Sequence, residues 1–224
     1  FDSEPLALAI VRPDGSGSVF ETRVLSDSES FGAISLKYCE RLLKFLLWQR
    51  GGCKVVVGGR RDLAGSLKGI YSSAGERSFD CNFMGRKIYC SDMEIEYRPL
   101  DEMPAPAESA QALGGNLDGC RIGFDLGGSD RKCAAVADGE VVFTQEVEWN
   151  PYFESDPQYH IDGINDSLQR AARHLPRVDA IGGSAAGVYV NNQVRAASLF
   201  RGVSPADFDA RIRPLFLDLR KRWD

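Results

Sequence analysis

RIGFDLGGSDRKCAAV, residues 121–136, runs from a short apolar strand through Asp125, a Gly127-Gly128 pair and Ser129 into a second strand. Two glycines let a backbone come close to a ligand, and their N–H groups can converge on phosphate oxygens. Ser129 adds a hydroxyl donor. An Asp at a strand end can hold a hydrated metal that accompanies the phosphate. The competing reading is a plain hairpin whose turn needs glycine for its dihedral angles. The surrounding elements have to decide between them.

Downstream, the Asp138-Gly139 turn leads into EVVFTQEVEW, an alternating third strand antiparallel to the second. A helix follows, with Asp156 as N-cap and Pro157 at its first position. His160, Ile164, Leu168, Ala171 and Leu175 fall on one face, and Pro176 ends it. VDAIGG (178–183) reads as a short buried strand. The order is βββαβ, and it strengthens the phosphate reading of the turn. Ser204 caps a last helix with Pro205 behind it. Phe208, Ile212, Leu215, Phe216 and Leu219 form its apolar side, and Pro214 should kink or split it.

Upstream, PLDEMPAPAESAQALGGN (residues 99–116) holds three prolines, a Gly pair and little apolar pattern, so it reads as a linker. The expected organisation is an α/β domain over residues 1–98, a linker over 99–117 and a second domain over 118–224. The first domain reads as ββαβαβ. LALAIVRPDG and VFETRVL form a hairpin with Asp14-Gly15 in the turn. Ser30 caps a helix that runs to Arg50, with Ile34, Tyr38, Leu42, Phe45 and Leu46 at helical spacing and Gly51-Gly52 stopping it. CKVVV is a buried strand, RDLAGSLKGIY a weaker helix, and IYCSDMEIEY a strand.

Composition narrows the function. Of 224 residues, 43% are hydrophobic and 26% charged, as in an ordinary globular protein. The formal net charge of -5 argues against a nucleic-acid partner. Arg220, Lys221 and Arg222 read as a solvated helix terminus, where cations suit the dipole. No apolar run can span a membrane; LLKFLLWQR is short and carries Lys44 and Arg50. No signal peptide is read at an N-terminus that opens on Phe1. The six cysteines, at 39, 53, 81, 90, 120 and 133, form no C-x-x-C pair and have no His at ligand spacing. They read as reduced thiols of a cytoplasmic protein, with no zinc site.

Other motifs fail on spacing. GGSAAG (182–187) is not a G-x-S-x-G nucleophile elbow, because Ala186 stands in the last glycine's place, and His160 and His174 both precede Ser184. It reads as a strand-end loop beside a ligand cleft. No P-loop or G-x-G-x-x-G is present, and GGRRDLAGSLKG (58–69) is a strand-to-helix connection. His160 and His174 are too far apart on one helix to share a ligand and read as surface or half-buried. Glu146 and Glu148 read as a solvated row on one strand face.

The second half resembles the ROK family (repressors, open reading frames and sugar kinases) of the actin-like ATPase superfamily. RIGFDLGGSDRKCAAVADGEVVF is similar to its first phosphate loop, with Asp125, Gly127, Gly128, Ser129 and Lys132 on the pattern. The helix from Asp156 and VDAIGGSAAGVYVNNQV are similar to the next family segment, where a Gly-rich turn borders the sugar cleft. The likeness covers roughly residues 120–223. Asp130-Arg131 depart from the apolar residues common in the family, and Ala186 from its frequent Pro.

The resemblance implies a small N-terminal α/β domain followed by an incomplete ribonuclease H-like (actin-like ATPase) domain. It implies Mg-ATP over Gly127, Gly128 and Ser129, with Lys132 beside them and Asp125 orienting the metal through water. Ser184 and Gly187 would border the sugar. The family's catalytic Asp belongs to an Asn-Asp pair expected beyond Asp224; Asn165-Asp166 lies mid-helix and cannot replace it. No catalytic residue is therefore expected within these 224 residues, and this chain alone is not expected to turn over. Its expected partners are a small sugar, a nucleotide and a missing C-terminal lobe, with a homo-oligomer left open. The function implied is ATP-dependent sugar phosphorylation, with a non-catalytic sugar- or nucleotide-binding sensor as the alternative.

Overall fold

The computed structural model describes residues 2–26, 31–108 and 114–223. The chain forms two compact units, Phe1–Gln111 and Ala112–Asp224, whose boundary falls inside the stretch 99–117.

In the first unit, β1 (Ser3–Val11) and β2 (Gly17–Leu25) form a hairpin. The Asp14 carboxylate closes its turn by accepting from the Ser16 N–H at 2.9 Å and the Ser16 hydroxyl at 2.6 Å. β3 (Lys54–Gly58) pairs antiparallel with β1, and β4 (Glu94–Arg98) pairs parallel with β3, giving the order β2-β1-β3-β4. Leu6 to Ile10 are all buried, so β1 reads as a continuous apolar run instead of an alternating one. The connection through residues 58–61 leads from β3 into α2 (Arg61–Ile70), as its sequence suggests.

Three expectations for this unit change. Helix α1 (Gly32–Arg50) buries Ser35, Cys39, Glu40, Leu43, Leu46 and Leu47. Ile34, Tyr38 and Phe45 point outward, Phe45 being 59% exposed. The apolar spacing was real, but two apolar stripes overlap on this helix and the other one faces the sheet. Ser30, the expected cap, lies outside the described residues. IYCSDMEIEY is not one strand: α3 (Ser78–Cys81) widens into a π-helical turn over Asn82–Tyr89, and only Glu94–Arg98 is extended. Residues 100–107 do not hang free. Leu100–Glu102 make one 3-10 turn, and Ala107 exchanges two backbone hydrogen bonds of 3.0 Å with Gly17.

In the second unit, β5 (Cys120–Leu126), β6 (Asp130–Ala137) and β7 (Glu140–Glu148) form an antiparallel meander. Helix α4 (Pro157–Ala172) crosses over to β8 (Ala180–Ala185), which pairs parallel with β5. The strand order is β7-β6-β5-β8, so the βββαβ elements form the ribonuclease H-like arrangement expected of an actin-like domain. Asp138 and Gly139 both have positive φ, as a two-residue hairpin loop between right-twisted strands requires. Asp156 caps α4 by accepting from Gln158 N–H at 2.8 Å. The even-numbered residues Ile122 and Leu126 of β5 and the odd-numbered Cys133 and Ala135 of β6 pack with Ile161, Ile164, Leu168 and Ala171 of α4 in one core.

Helix α4 stops at Ala172, short of Pro176, and His174 instead stacks on Phe143 with ring centroids 4.0 Å apart. His160 is neither at the surface nor half-buried: it is 0% exposed, with Nε2 at 3.1 Å from both the Pro151 and the Leu199 carbonyl oxygens. The GGSAAG loop is also shorter than expected, because Gly182 to Ala185 belong to β8. A hairpin then follows, β9 (Val188–Val190) and β10 (Gln193–Ala196), turned by Asn191 and Asn192 in the left-handed region. Ser204 caps α5 (Pro205–Asp207), and Pro214 separates a π-helical turn over Phe208–Ile212 from α6 (Leu215–Trp223), as its position suggests.

Candidate phosphate-binding site

Residues paired across a sheet point to the same face. Register places Glu146 beside Lys132, Lys132 beside Asp125, and Asp125 beside Ser184. These four therefore form one polar row across all four strands, on the face opposite α4. Asp125 and Ser184 both sit at the carboxyl ends of the parallel strands β5 and β8, where open α/β sheets place ligands. The Ser184 hydroxyl donates to Asp125 Oδ1 in a short hydrogen bond.

The turn itself lies one residue beyond Asp125. Gly127 N–H donates to the Asp130 carbonyl at 2.9 Å, which leaves Gly128 and Ser129 at the tip. Trp149 holds the turn from behind through its carbonyls: its indole N–H donates to Gly127 O at 2.8 Å and its backbone N–H to Ser129 O at 3.0 Å. Among the described residues, no group accepts from the Gly128 or Ser129 N–H. Two neighbouring donors are thus left for water or an anion.

The glycines are there for space and not for dihedrals, since neither Gly127 nor Gly128 has positive φ. A Cβ on Gly128 would lie 2.2 Å from the Tyr152 hydroxyl, and one on Gly127 would lie 2.9 Å from the Asp130 carbonyl. The approach they permit is filled on the Cβ side by Tyr152.

Asp130 and Arg131, the polar departures in the motif, each have a structural partner. Asp130 accepts from the Ser129 hydroxyl at 2.8 Å and from Lys132 Nζ at 2.5 Å. The Lys132 hydrogen bond, then that of Ser129, holds the Asp130 carboxyl below its ordinary value, and Asp130 in turn raises Lys132. The Lys132 ammonium is therefore held in its charged form and already paired, with Glu146 a further 3.9 Å contact. Arg131 points to the other face, is 8% exposed, and donates to Asp166 at 2.8 Å and to Ser167. It ties the hairpin to α4, and it gives Asp166 a structural task, together with Arg170 at 2.9 Å.

Gly187 is not part of this row. Its φ is +151, and a Cβ there would meet Ala196 O at 2.6 Å and Ala197 Cβ at 2.8 Å, so close packing on β10 explains it. Glu146 and Glu148 are exposed, as a solvated row should be. Sequence reasoning missed Trp149, Tyr152 and Arg201. The Arg201 guanidinium carbon sits 4.3 Å from the Tyr152 ring centroid and 5.4 Å from that of Phe153. Nothing local in the sequence signals this, because the 3-10 turns at Pro151–Phe153 and Ser198–Phe200 meet only in the fold.

A larger cleft of about 720 Å³ opens between β8 and α6, lined by Phe124, Ile181, Tyr189, Phe216 and Trp223 among others. Phe124 lies on the α4 face of the sheet, opposite Asp125, and its ring joins those of Tyr189, Phe216 and Trp223 in the cleft wall, beside aliphatic groups and the polar Asp179, Ser184 and Asn192. Phosphate sites are shallow and rich in N–H donors, so chemistry favours the smaller turn over the larger cavity.

A magnesium ion keeps most of its waters and binds through one or two carboxylates plus phosphate oxygens. No group of three or more His, Cys, Asp or Glu side chains among the described residues could hold a metal. Asp125, half-buried at a strand end and with only one oxygen engaged by Ser184, suits such a water-mediated contact. Among the described residues, no helix is long and apolar enough to cross a membrane.

No family model matches the chain, and no curated protein matches it. Among solved structures it is similar to an exopolyphosphatase from Cytophaga hutchinsonii, at 10% identity and a TM-score of 0.25, over 81% of this chain and 63% of that one. It is also similar to a PPX-GPPA enzyme of Aquifex aeolicus, at 12% identity and a TM-score of 0.23, over 81% of this chain and 64% of that one. The chain thus spans under two thirds of the length of either protein. Likenesses this slight assign it no family, and the ROK resemblance rests on the quoted motifs alone.

Proposed function

We propose that the second unit is a phosphoryl-binding lobe of the actin-like kind, and that its hairpin turn holds the terminal phosphates of a nucleotide. One observation carries this reading: the N–H donors of Gly128 and Ser129, which have no acceptor among the described residues, follow a carboxylate, Asp125, at the carboxyl ends of two parallel strands. The finer reading is a ROK-like sugar kinase that uses Mg-ATP, supported by the motif from Asp125 to Lys132.

In that reading the Gly128 and Ser129 amides orient the phosphate oxygens, and Asp125 holds the hydration shell of the accompanying ion. Ser184 fixes the Asp125 rotamer and borders the sugar. Magnesium, when bound, offsets charge on the transferring group. Such catalysis is positioning and electrostatic stabilisation more than covalent chemistry.

A non-catalytic sensor of the same fold is the second reading. It is favoured by Asp130, which is already paired with the lysine nearest the turn. Calorimetric titration of Mg-ATP into the wild type and Asp125→Ala tests the shared core of both readings. Saturable binding that the variant weakens about tenfold or more supports it. Equal binding by the two proteins removes Asp125, and with it the proposed site. Sugar phosphorylation by the protein that contains this lobe, with and without Asp125→Ala, separates kinase from sensor.

A further inference from the structure

The proposed site needs a cation for the anion it holds, and the sequence offers Lys132. Lys132 is the wrong candidate on charge grounds. Its ammonium lies 2.5 Å from Asp130 Oδ1 and 3.9 Å from Glu146 Oε2. A phosphate arriving there would have to displace a carboxylate that is covalently next to the turn.

Arg201 stands in a different situation. It lies on the loop after the 3-10 turn at Ser198–Phe200, far from the hairpin in sequence. Its guanidinium stacks on Tyr152 and reaches Phe153, and its Nε approaches the Tyr152 carbonyl only at 3.5 Å. No carboxylate pairs with it among the described residues. The Tyr152 hydroxyl stands where a Cβ on Gly128 would be, 2.2 Å from it, so the same ring packs against the turn. One aromatic ring therefore packs against both the turn and an exposed guanidinium that has no carboxylate partner among the described residues. Stacking on an aromatic face pre-organises an arginine, and with Nε turned to the Tyr152 carbonyl the four Nη N–H donors remain for an oxyanion.

Building on the phosphoryl reading above, we infer that Arg201, held by Tyr152, is the cation of an anion subsite completed by the Gly128 and Ser129 N–H groups. Its ligand class is the terminal phosphoryl group of a nucleotide or the equivalent end of an inorganic polyphosphate. Asp130 keeps Lys132 out of that role and makes it a structural member of the hairpin.

The test is titration of sodium pyrophosphate, with magnesium, into residues 1–224 as wild type, Arg201→Gln, Arg201→Lys and Lys132→Gln. Arg201→Gln should weaken binding about tenfold, the loss of one charge-assisted contact. Arg201→Lys should recover part of that, since it restores charge without the planar fork. Lys132→Gln, which leaves the exposed Asp130 carboxylate unpaired, should weaken binding less than Arg201→Gln does. Circular dichroism and melting of Arg201→Gln matching the wild type assign its loss to the site and not to folding. If Lys132→Gln weakens binding and Arg201→Gln does not, the inference is overturned while the phosphoryl reading stands. If the wild type binds neither pyrophosphate nor Mg-ATP, both fall together.

Discussion

Ser184 and Asp125 face each other across the parallel pair β5–β8, and the serine hydroxyl donates to Asp125 Oδ1. Two residues separated by 59 positions are thereby fixed at one end of the sheet. The carboxylate keeps its other oxygen for a ligand. Ser184→Ala should leave stability nearly unchanged, because the residue is exposed on an edge strand. It should weaken Mg-nucleotide binding by about 1 kcal/mol through loss of one hydrogen bond that orients Asp125. Calorimetry with and without magnesium measures this. A loss confined to the magnesium-containing titration supports the role, and an equal loss in EDTA contradicts it.

Gly182 and Gly183 are neighbours in β8 but differ in what surrounds them. A Cβ on Gly183 would fall 2.0 Å from Phe124 Cζ, and Phe124 is itself stacked on Phe216 at 5.9 Å. A Cβ on Gly182 would meet nothing within 4 Å. Gly183→Ala should therefore cost about 1–3 kcal/mol by forcing the ring off its stack. Gly182→Ala should be neutral or slightly stabilising. Urea denaturation of the two variants decides; equal midpoints would show that the Phe124 ring yields freely.

Glu40 is 1% exposed inside the first unit; Arg77 Nε and Nη2 both make short contacts to its Oε1, and Lys37 lies 3.2 Å from its Oε2. Burial alone pushes its carboxyl up, but the Arg77 and Lys37 hydrogen bonds outweigh it and hold the group below its ordinary value. The unfolded chain then takes up the proton first as the solution is acidified. The stabilisation is complete above the ordinary carboxylate range and is lost as pH falls through and below it. Arg77→Met should cost about 1–3 kcal/mol at neutral pH, because it removes the hydrogen-bonded partner of a buried carboxylate and leaves only the more exposed Lys37 and Arg41 beside it. The penalty should shrink in acid, where Glu40 is protonated. A penalty independent of pH would contradict the assignment.

Cys39, Cys53, Cys81, Cys120 and Cys133 are buried, and only Cys90 is exposed. Burial pushes the Cys39 thiol up to about 11. Thiolate is the reactive form, so a disulfide reagent should modify one thiol quickly in the native protein and six after denaturation. Two or more fast thiols, or loss of the fast one without Cys90→Ser, would contradict the packing.

Much of this architecture was legible in the sequence because local chemistry marked it. Asp138-Gly139, the Asp156-Pro157 cap, the Ser204-Pro205 cap and the break at Pro214 all act within a few residues. The Asp125 to Ser129 turn was legible for the same reason. What failed to show depended on the fold. Helix α1 carries two overlapping apolar stripes, and only the sheet determines which one is buried. His160 reads as surface or half-buried from the sequence, and only the fold brings the Pro151 and Leu199 carbonyls onto its ring. The strand over residues 88–93 was lost because a π-helical turn overrode the alternation. Lys132 matched the expected pattern, yet its neighbour Asp130 decides its charge. Arg201 is invisible to any local pattern because Tyr152 brings it to the turn.

The amide resonances of Gly127, Gly128 and Ser129 report on the proposed site most directly. In a titration of ¹⁵N-labelled residues 1–224 with Mg-ATP, these amides should shift together with Arg201, and Asp125→Ala should suppress the shifts. Unmoved turn amides at saturating nucleotide, or shifts confined to the cleft between β8 and α6, would contradict a phosphate-binding hairpin.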